Sequence, residues 1–143
     1  MTVNGKIVEL LKVIRESLNM LREYERVPLS QFRNDRKMQD IVEREFERAI
    51  MACVDIGARV ISSRRLSPAS NYTEIFARLM EHGVVGPELT EAMKDFVRFR
   101  NILSHEYFQI SPDKVHEKLA TRLKDFVDYA KALEAYIASS EKR

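Results

Sequence analysis

The chain has 143 residues, of which 45% are hydrophobic and 32% are charged, and its formal net charge is +2. This composition provides enough apolar side chains for one core, and the weak net charge excludes a protein whose overall field alone attracts nucleic acid. We therefore expect one soluble domain over residues 1–143, located in the cytoplasm, without a signal peptide or a transmembrane helix.

The first predicted helix starts at an Asn4 cap and carries apolar residues at steps of three and four until Pro28 interrupts the pattern. Its apolar stripe comprises Ile7, Leu10, Leu11, Ile14, Leu18 and Leu21. A polar connection from Leu29 to Arg36 follows, in which Leu29–Phe32 is expected to form one helical turn.

The second predicted helix is the longest and extends from about Asp35 to Ser63. Cys53 is the only cysteine, which excludes an intrachain disulfide and fits a reducing compartment. Because it lies within an apolar helical pattern, we expect it to fill the core. The segment Arg64–Ser70 contains a proline and small polar residues, and it is predicted to be a loop.

Three further helices are predicted in the second half of the chain. Asn71, with an acidic residue three positions later, caps a short third helix that Gly83 closes. Gly86-Pro87 begins a fourth helix, and Ser111-Pro112 begins a last one. Since no strand pattern is present, we predict an all-α fold, an antiparallel bundle of four long helices plus one short helix. A monomer should retain an apolar face, so a homodimer is expected.

The fourth helix ends in a cluster of polar side chains within Arg98–Phe108. Its apolar stripe comprises Leu89, Met93, Phe96 and Leu103. The same spacing puts Arg100 and Tyr107 on that stripe. A buried charge is costly unless it is paired, so a conflict between pattern and residue is where a functional site is expected. Glu45, near the apolar sector of the second helix, is predicted to be the internal counter-ion of Arg100.

Arg100 and His105 do not share a face of a regular helix. Five residues correspond to about 140° around the axis at 3.6 residues per turn. Either the helix loosens near His105, or a second copy of the chain completes the site across a two-fold axis.

The cluster suits metal-independent RNA cleavage. This reaction needs a base for the 2′-hydroxyl proton, an acid for the leaving oxygen and a cation for the charge on phosphorus. Histidine suits the first two tasks and arginine the third, while Asn101, one turn before His105, is positioned to orient the imidazole. A purely structural network of Arg100, Glu45 and Tyr107 remains the alternative.

A metal site is not expected, because His82, His105 and His116 are scattered and none is in a zinc-binding spacing. His82 is predicted to end the third helix, and His116 is predicted to be exposed in the first turn of the last helix. We expect no cofactor.

The octapeptide from Arg100 to Tyr107 resembles the Arg-Asn-x-x-x-His-x-Tyr signature of HepT-like toxins, a DUF86-type branch of the HEPN superfamily. The likeness extends over most of the chain. It includes the segments Asp40–Arg44 and Asp55–Gly57, the Asn71-Tyr72 cap and the proline-led fourth helix.

This resemblance implies a homodimeric, metal-independent endoribonuclease toxin of a type VII-like toxin–antitoxin pair. Arg100 and His105 would be catalytic, and Asn101 would be a supporting polar residue. Tyr107 would accept AMP from a cognate minimal nucleotidyltransferase antitoxin, with which the dimer assembles further. The AMP would lie on the same helix face as Arg100 and exclude an RNA phosphate. The alternative is a non-catalytic helical subunit that binds a nucleotide or docks a nucleotidyltransferase.

Overall fold

A computed structural model describes the backbone of residues 3–141 and the side chains of residues 4–139. These residues form seven α-helices, and none of them forms a strand. The helices are α1 (Val3–Arg22), α2 (Leu29–Arg33), α3 (Arg36–Ser63), α4 (Tyr72–Glu81), α5 (Pro87–His105), α6 (Pro112–Thr121) and α7 (Leu123–Glu141). The all-α prediction is confirmed. The predicted count of four long helices plus one short helix is not confirmed, since four helices are long and three are short.

The helix starts follow the capping chemistry of the sequence. The Asp35 side chain accepts a hydrogen bond from the Met38 backbone N–H, and the Asn71 side chain accepts one from the Glu74 N–H, each at 3.0 Å. Pro87 occupies the first turn of α5. The starts at Asn71 and Pro87 were predicted from these residues, whereas the start near Asp35 was predicted from the apolar pattern. Asp35 and Asn71 satisfy backbone N–H groups that a helix end would leave unpaired, and Pro87 has no N–H to satisfy. The predicted Asn4 cap is wrong, because α1 begins at Val3 and Asn4 lies inside it.

The predicted last helix is two helices. Arg122, with φ −120° and ψ 4°, leaves the helical conformation and separates α6 from α7, and its guanidinium lies 3.0 Å from Asp125. Leu119 and Leu123 are both buried on either side of the break. Since the apolar spacing continues across Arg122, periodicity alone predicts one helix where two exist.

Helix α3 lies at the centre of the fold and contacts each of the other six helices. Its Phe46 ring packs edge-on against Phe99 of α5, with ring centroids 5.5 Å apart, and also contacts Phe96 and Phe126. Phe96 and Phe126 lie 4.5 Å apart. This aromatic cluster fixes α5 on α3 directly before the polar end of α5.

The α3–α4 contact is close because Gly57 has no side chain. A Cβ atom there would lie 2.5 Å from Ile75 Cγ2, closer than atoms pack. Cys53, one turn earlier, is buried as predicted, and its carbonyl accepts a hydrogen bond from the Tyr129 hydroxyl at 2.9 Å. Burial raises the pKa of the Cys53 thiol, so the thiol is held protonated in the core.

Among the helices that the structure describes, none combines the length and the apolar character needed to cross a membrane.

Candidate active site

The predicted site residues occupy the end of α5. The helix continues through His105, where the Glu106 backbone N–H still donates to the Ile102 carbonyl at 3.0 Å. A short 3₁₀ turn, Tyr107–Gln109, then changes the direction of the chain. Arg100, Asn101 and His105 therefore lie on α5, whereas Tyr107 lies beyond its end.

Arg100 is half-buried against α3, with 20% of its side chain exposed. Its Nε atom lies 3.8 Å from Glu47 Oε1, and the Ser104 hydroxyl donates to the same carboxylate oxygen at 2.5 Å. Arg100 and Ser104 are one turn apart on α5 and converge on one carboxylate of the neighbouring helix.

The predicted pairing of Arg100 with Glu45 is wrong. Glu45 is buried and pairs with Arg48 within α3, at 3.1 Å. Glu45 and Glu47 are separated by about 200° around the helix axis, so only one of them can face α5. Because Glu47 is 57 residues from Ser104 in sequence, no local spacing identifies it, and only the packing of α3 on α5 does.

The outer surface of α5 carries Arg98, Asn101 and His105 at steps of three and four, which we call the polar face. All three side chains are exposed, and within residues 3–141 none of them forms a hydrogen bond or an ion pair. Arg100 lies elsewhere on the helix, since it is about 140° from His105. The polar face therefore presents an imidazole, an amide and a guanidinium to whatever molecule approaches this end of α5.

Two depressions flank the polar face. One, of about 380 Å³, is lined by Asn101, Val97 and the exposed ring of Tyr72 at the start of α4. The other, of about 250 Å³, lies between α5 and α6 and is lined in part by Arg98 and Lys114. Polar groups thus continue from the motif into the first depression, and both basic and acidic groups line the second.

Tyr107 is 74% exposed, so its predicted place on the buried stripe of α5 is wrong. The stripe argument assumed a helix that continues past position 107, whereas α5 ends at His105. The Tyr107 ring packs edge-on against Phe108, which is 73% exposed, with ring centroids 6.1 Å apart. Its phenol is open to solvent and accessible to another protein.

The other two histidines, His82 and His116, lie outside the predicted site. His82 is the C-terminal cap of α4, as predicted. His116 was predicted to be exposed but is half-buried, with Nε2 2.6 Å from the Val27 carbonyl and its ring against Phe32. In the described part of the chain, no three His, Cys, Asp or Glu side chains are grouped so that they could hold a metal ion.

A family profile described as "Ribonuclease HepT-like" matches residues 14–133. The chain is 27% identical over 133 residues to tRNA nuclease HepT of Aphanizomenon flos-aquae, covering 92% of this chain and 89% of that protein. It is also 27% identical over 106 residues to mRNA nuclease HepT of Shewanella oneidensis, covering 74% of this chain and 80% of that protein.

Solved structures share the fold. A tri-AMPylated HEPN toxin of Shewanella oneidensis, in complex with an MNT antitoxin, superposes with a TM-score of 0.86 at 24% identity, covering 94% of this chain and 99% of the toxin. YutE of Bacillus subtilis, a cytosolic protein of unknown function, superposes with a TM-score of 0.84 at 15% identity, covering 96% and 92% of the two chains. At these identities the likeness establishes the architecture.

Proposed function

This chain belongs to the HepT-like ribonuclease family, and from that premise we propose that it is the endoribonuclease toxin of a toxin–antitoxin pair. Membership of this family confirms the resemblance that the octapeptide Arg100–Tyr107 indicated, and it confirms the enzyme class, an RNA endonuclease. The observation that carries the proposal is the polar face, in which exposed His105 and Asn101 lack partners within the described residues. Arg100, on another side of the same helix, is held by Glu47.

The proposed reaction is attack of the RNA 2′-hydroxyl on the adjacent phosphorus. The His105 imidazole takes the 2′-hydroxyl proton, the 2′-oxygen–phosphorus bond forms, and the phosphorus–O5′ bond breaks. O5′ leaves with a proton from water, which gives a 2′,3′-cyclic phosphate and a 5′-hydroxyl end, and the hydroxide that remains takes the proton back from the His105 imidazolium. Arg100 stabilises the additional negative charge on the phosphoryl oxygens with its permanent positive charge. None of these steps requires a metal ion.

A second copy of the chain completes the proposed site. Because α5 remains helical through His105, a loosened helix does not bring Arg100 and His105 to one phosphate. Two copies related by a two-fold axis can place the guanidinium of one beside the imidazole of the other.

Tyr107 is the proposed site of inhibition by a minimal nucleotidyltransferase antitoxin. The phenol oxygen would attack the α-phosphorus of ATP, losing its proton and releasing pyrophosphate, so that AMP becomes esterified to Tyr107. The exposed phenol supports this role, since it needs no rearrangement to reach another enzyme. The attached phosphodiester adds negative charge and bulk two residues beyond His105, where both oppose the approach of RNA.

Cleavage by wild-type protein and by His105→Ala tests the proposed function. With EDTA present, we expect wild type to cut tRNA or an mRNA transcript. We expect the variant to be slower by about 10²–10⁴-fold, the usual contribution of a general base. His82→Ala, which removes an exposed imidazole from the end of α4, is the matched control and should cleave like wild type. Retained cleavage in His105→Ala, or cleavage only after Mg²⁺ is added, would contradict the mechanism.

A further inference from the structure

We propose that Glu47 is a positioning residue for Arg100, an inference that rests on the proposed ribonuclease function. Glu47 lies on α3, outside the octapeptide, and 29% of its side chain is exposed. Its Oε1 atom accepts a hydrogen bond from the Ser104 hydroxyl and lies 3.8 Å from Arg100 Nε. One carboxylate of α3 therefore contacts two side chains that lie one helical turn apart near the end of α5.

The contact engages a particular edge of the guanidinium. Glu47 approaches Arg100 most closely at the Nε edge, and within residues 3–141 no hydrogen bond engages the two terminal nitrogens of Arg100. Those two nitrogens form the fork that binds two oxygens of one phosphate. Glu47 thus supplies a counter-charge for a half-buried arginine without forming a hydrogen bond to the nitrogens that bind phosphate.

The pair is held by charge more than by hydrogen bonding. At 3.8 Å the Nε–Oε1 separation is too long for a hydrogen bond, and the buried Nε atom has no hydrogen-bond partner among the described residues. The Ser104 hydroxyl fixes the carboxylate oxygen, and the carboxylate then attracts the guanidinium. Removing the charge of Glu47 while keeping its shape should therefore release Arg100 from its place and leave the Ser104 contact intact.

A merely structural Glu47 would behave differently. In that case the Glu47–Ser104 bond joins α3 to α5, and substitutions change the melting temperature without changing the chemical step. A positioning Glu47 controls where the arginine fork lies when charge develops on the phosphate, so substitutions lower kcat more than they change KM.

Glu47→Gln separates these roles because glutamine keeps an oxygen that accepts from Ser104. We expect kcat to fall by up to about 10²-fold, the cost of misplacing a catalytic group by about 1 Å, with a smaller change in KM. The matched control is Glu43→Gln, one turn earlier on the same helix, where the carboxylate forms no ion pair with Arg100. This control should keep the wild-type kcat. An unchanged kcat in Glu47→Gln would overturn the proposal.

A second measurement reads Arg100 directly and does not need turnover. In nitrogen-15 spectra, the Arg100 Nε–H signal is identified by its disappearance in Arg100→Lys. We expect Glu47→Gln to shift or broaden this signal, and Glu43→Gln to leave it unchanged. An unmoved signal in Glu47→Gln overturns the positioning role. If wild type fails to cut RNA, the proposed function fails, and the Arg100 signal still decides whether Glu47 holds the guanidinium.

Discussion

Arg100 and His105 differ in their surroundings in a way that matches their proposed tasks. Arg100 is half-buried and held next to Glu47, so its charge has a fixed place before RNA arrives. His105 is exposed at the last position of α5, and within the described residues its ring nitrogens have no hydrogen-bond partner. A fixed cation suits charge stabilisation, and a solvent-accessible imidazole suits proton transfer.

Tyr107→Phe should separate cleavage from inhibition, because it removes only the oxygen that would accept AMP. We expect the variant to cleave RNA at a rate close to wild type and to remain active after incubation with the nucleotidyltransferase and ATP. Wild type should gain one or more AMP groups and lose at least about tenfold in activity, since added charge and bulk oppose phosphate binding. Mass spectrometry and a cleavage assay measure both effects.

The control for this variant is Tyr72→Phe, which alters another exposed tyrosine on α4. It should be modified and inhibited like wild type. AMP attached elsewhere, with inhibition retained in Tyr107→Phe, would contradict the role given to Tyr107.

At this scale the sequence identifies the motif residues but not their partners. The octapeptide contains Arg100, Asn101, His105 and Tyr107 together, so family resemblance finds them. Glu47 comes from a distant segment that meets α5 only after folding. Tyr107 was wrongly predicted to lie on the buried stripe, because the apolar periodicity does not show that α5 ends at His105.

Among the helices, α5 is fixed from both sides. The aromatic cluster attaches it to α3, and Lys118 of α6 attaches it on the outside. The Lys118 ammonium donates to Asp95 at 2.7 Å and lies 5.2–5.3 Å from the ring centres of Phe99 and Phe96. These contacts join α6 to the turn of α5 that precedes the polar face.

The α5–α6 contact should weaken in acid. The hydrogen bond from Lys118 holds the pKa of Asp95 below its ordinary value. A carboxylate whose pKa is lower in the folded state stabilises the fold at pH values above its pKa in the unfolded chain, about 3.9. This stabilisation is lost as the pH falls through the lower pKa of the folded state. Asp95→Asn should therefore unfold at a lower urea concentration than wild type at pH 7. Its free energy of unfolding should be lower by the roughly 0.2–1 kcal/mol that an exposed ion pair contributes. The difference should shrink below about pH 4.

The measurement is the urea midpoint of unfolding of wild type and of Asp95→Asn, determined from pH 7 to pH 3. Asp55→Asn on α3, an exposed carboxylate without an ion pair in the described part of the chain, should leave the midpoint at pH 7 unchanged. If the urea midpoints of Asp95→Asn and wild type differ by the same amount down to pH 3, the stabilising role given to the Lys118–Asp95 pair is contradicted.

Two helix starts were predictable from single residues, but the Asn4 cap and one internal break were not predicted correctly. Asn71 and Pro87 act on the first turn of their helices, so the local sequence reveals these starts. Asn4 lies inside α1, which begins at Val3. The break at Arg122 carries no proline or glycine, and the apolar spacing continues across it. Such a break depends on how α6 and α7 pack on α3, which is a property of the whole fold.

For the whole molecule, the account depends on two copies acting together. A regular helix holds Arg100 and His105 on different sides, and α5 is regular at both positions. The polar face at the end of α5 is exposed, and the exposed Tyr107 and Phe108 continue it. We therefore expect a homodimer in solution, with twice the 16.7 kDa mass of one chain.

Mixing two inactive variants tests this claim most directly. Arg100→Ala and His105→Ala are unfolded together, refolded and assayed on RNA, with each variant refolded alone as the control and light scattering to verify the dimer mass. Random pairing makes half of the dimers mixed, and each mixed dimer has one intact site of two when the sites are shared between copies. We therefore expect recovery of about one quarter of wild-type activity. A mixture that forms dimers but remains as inactive as its separate components would contradict the shared site.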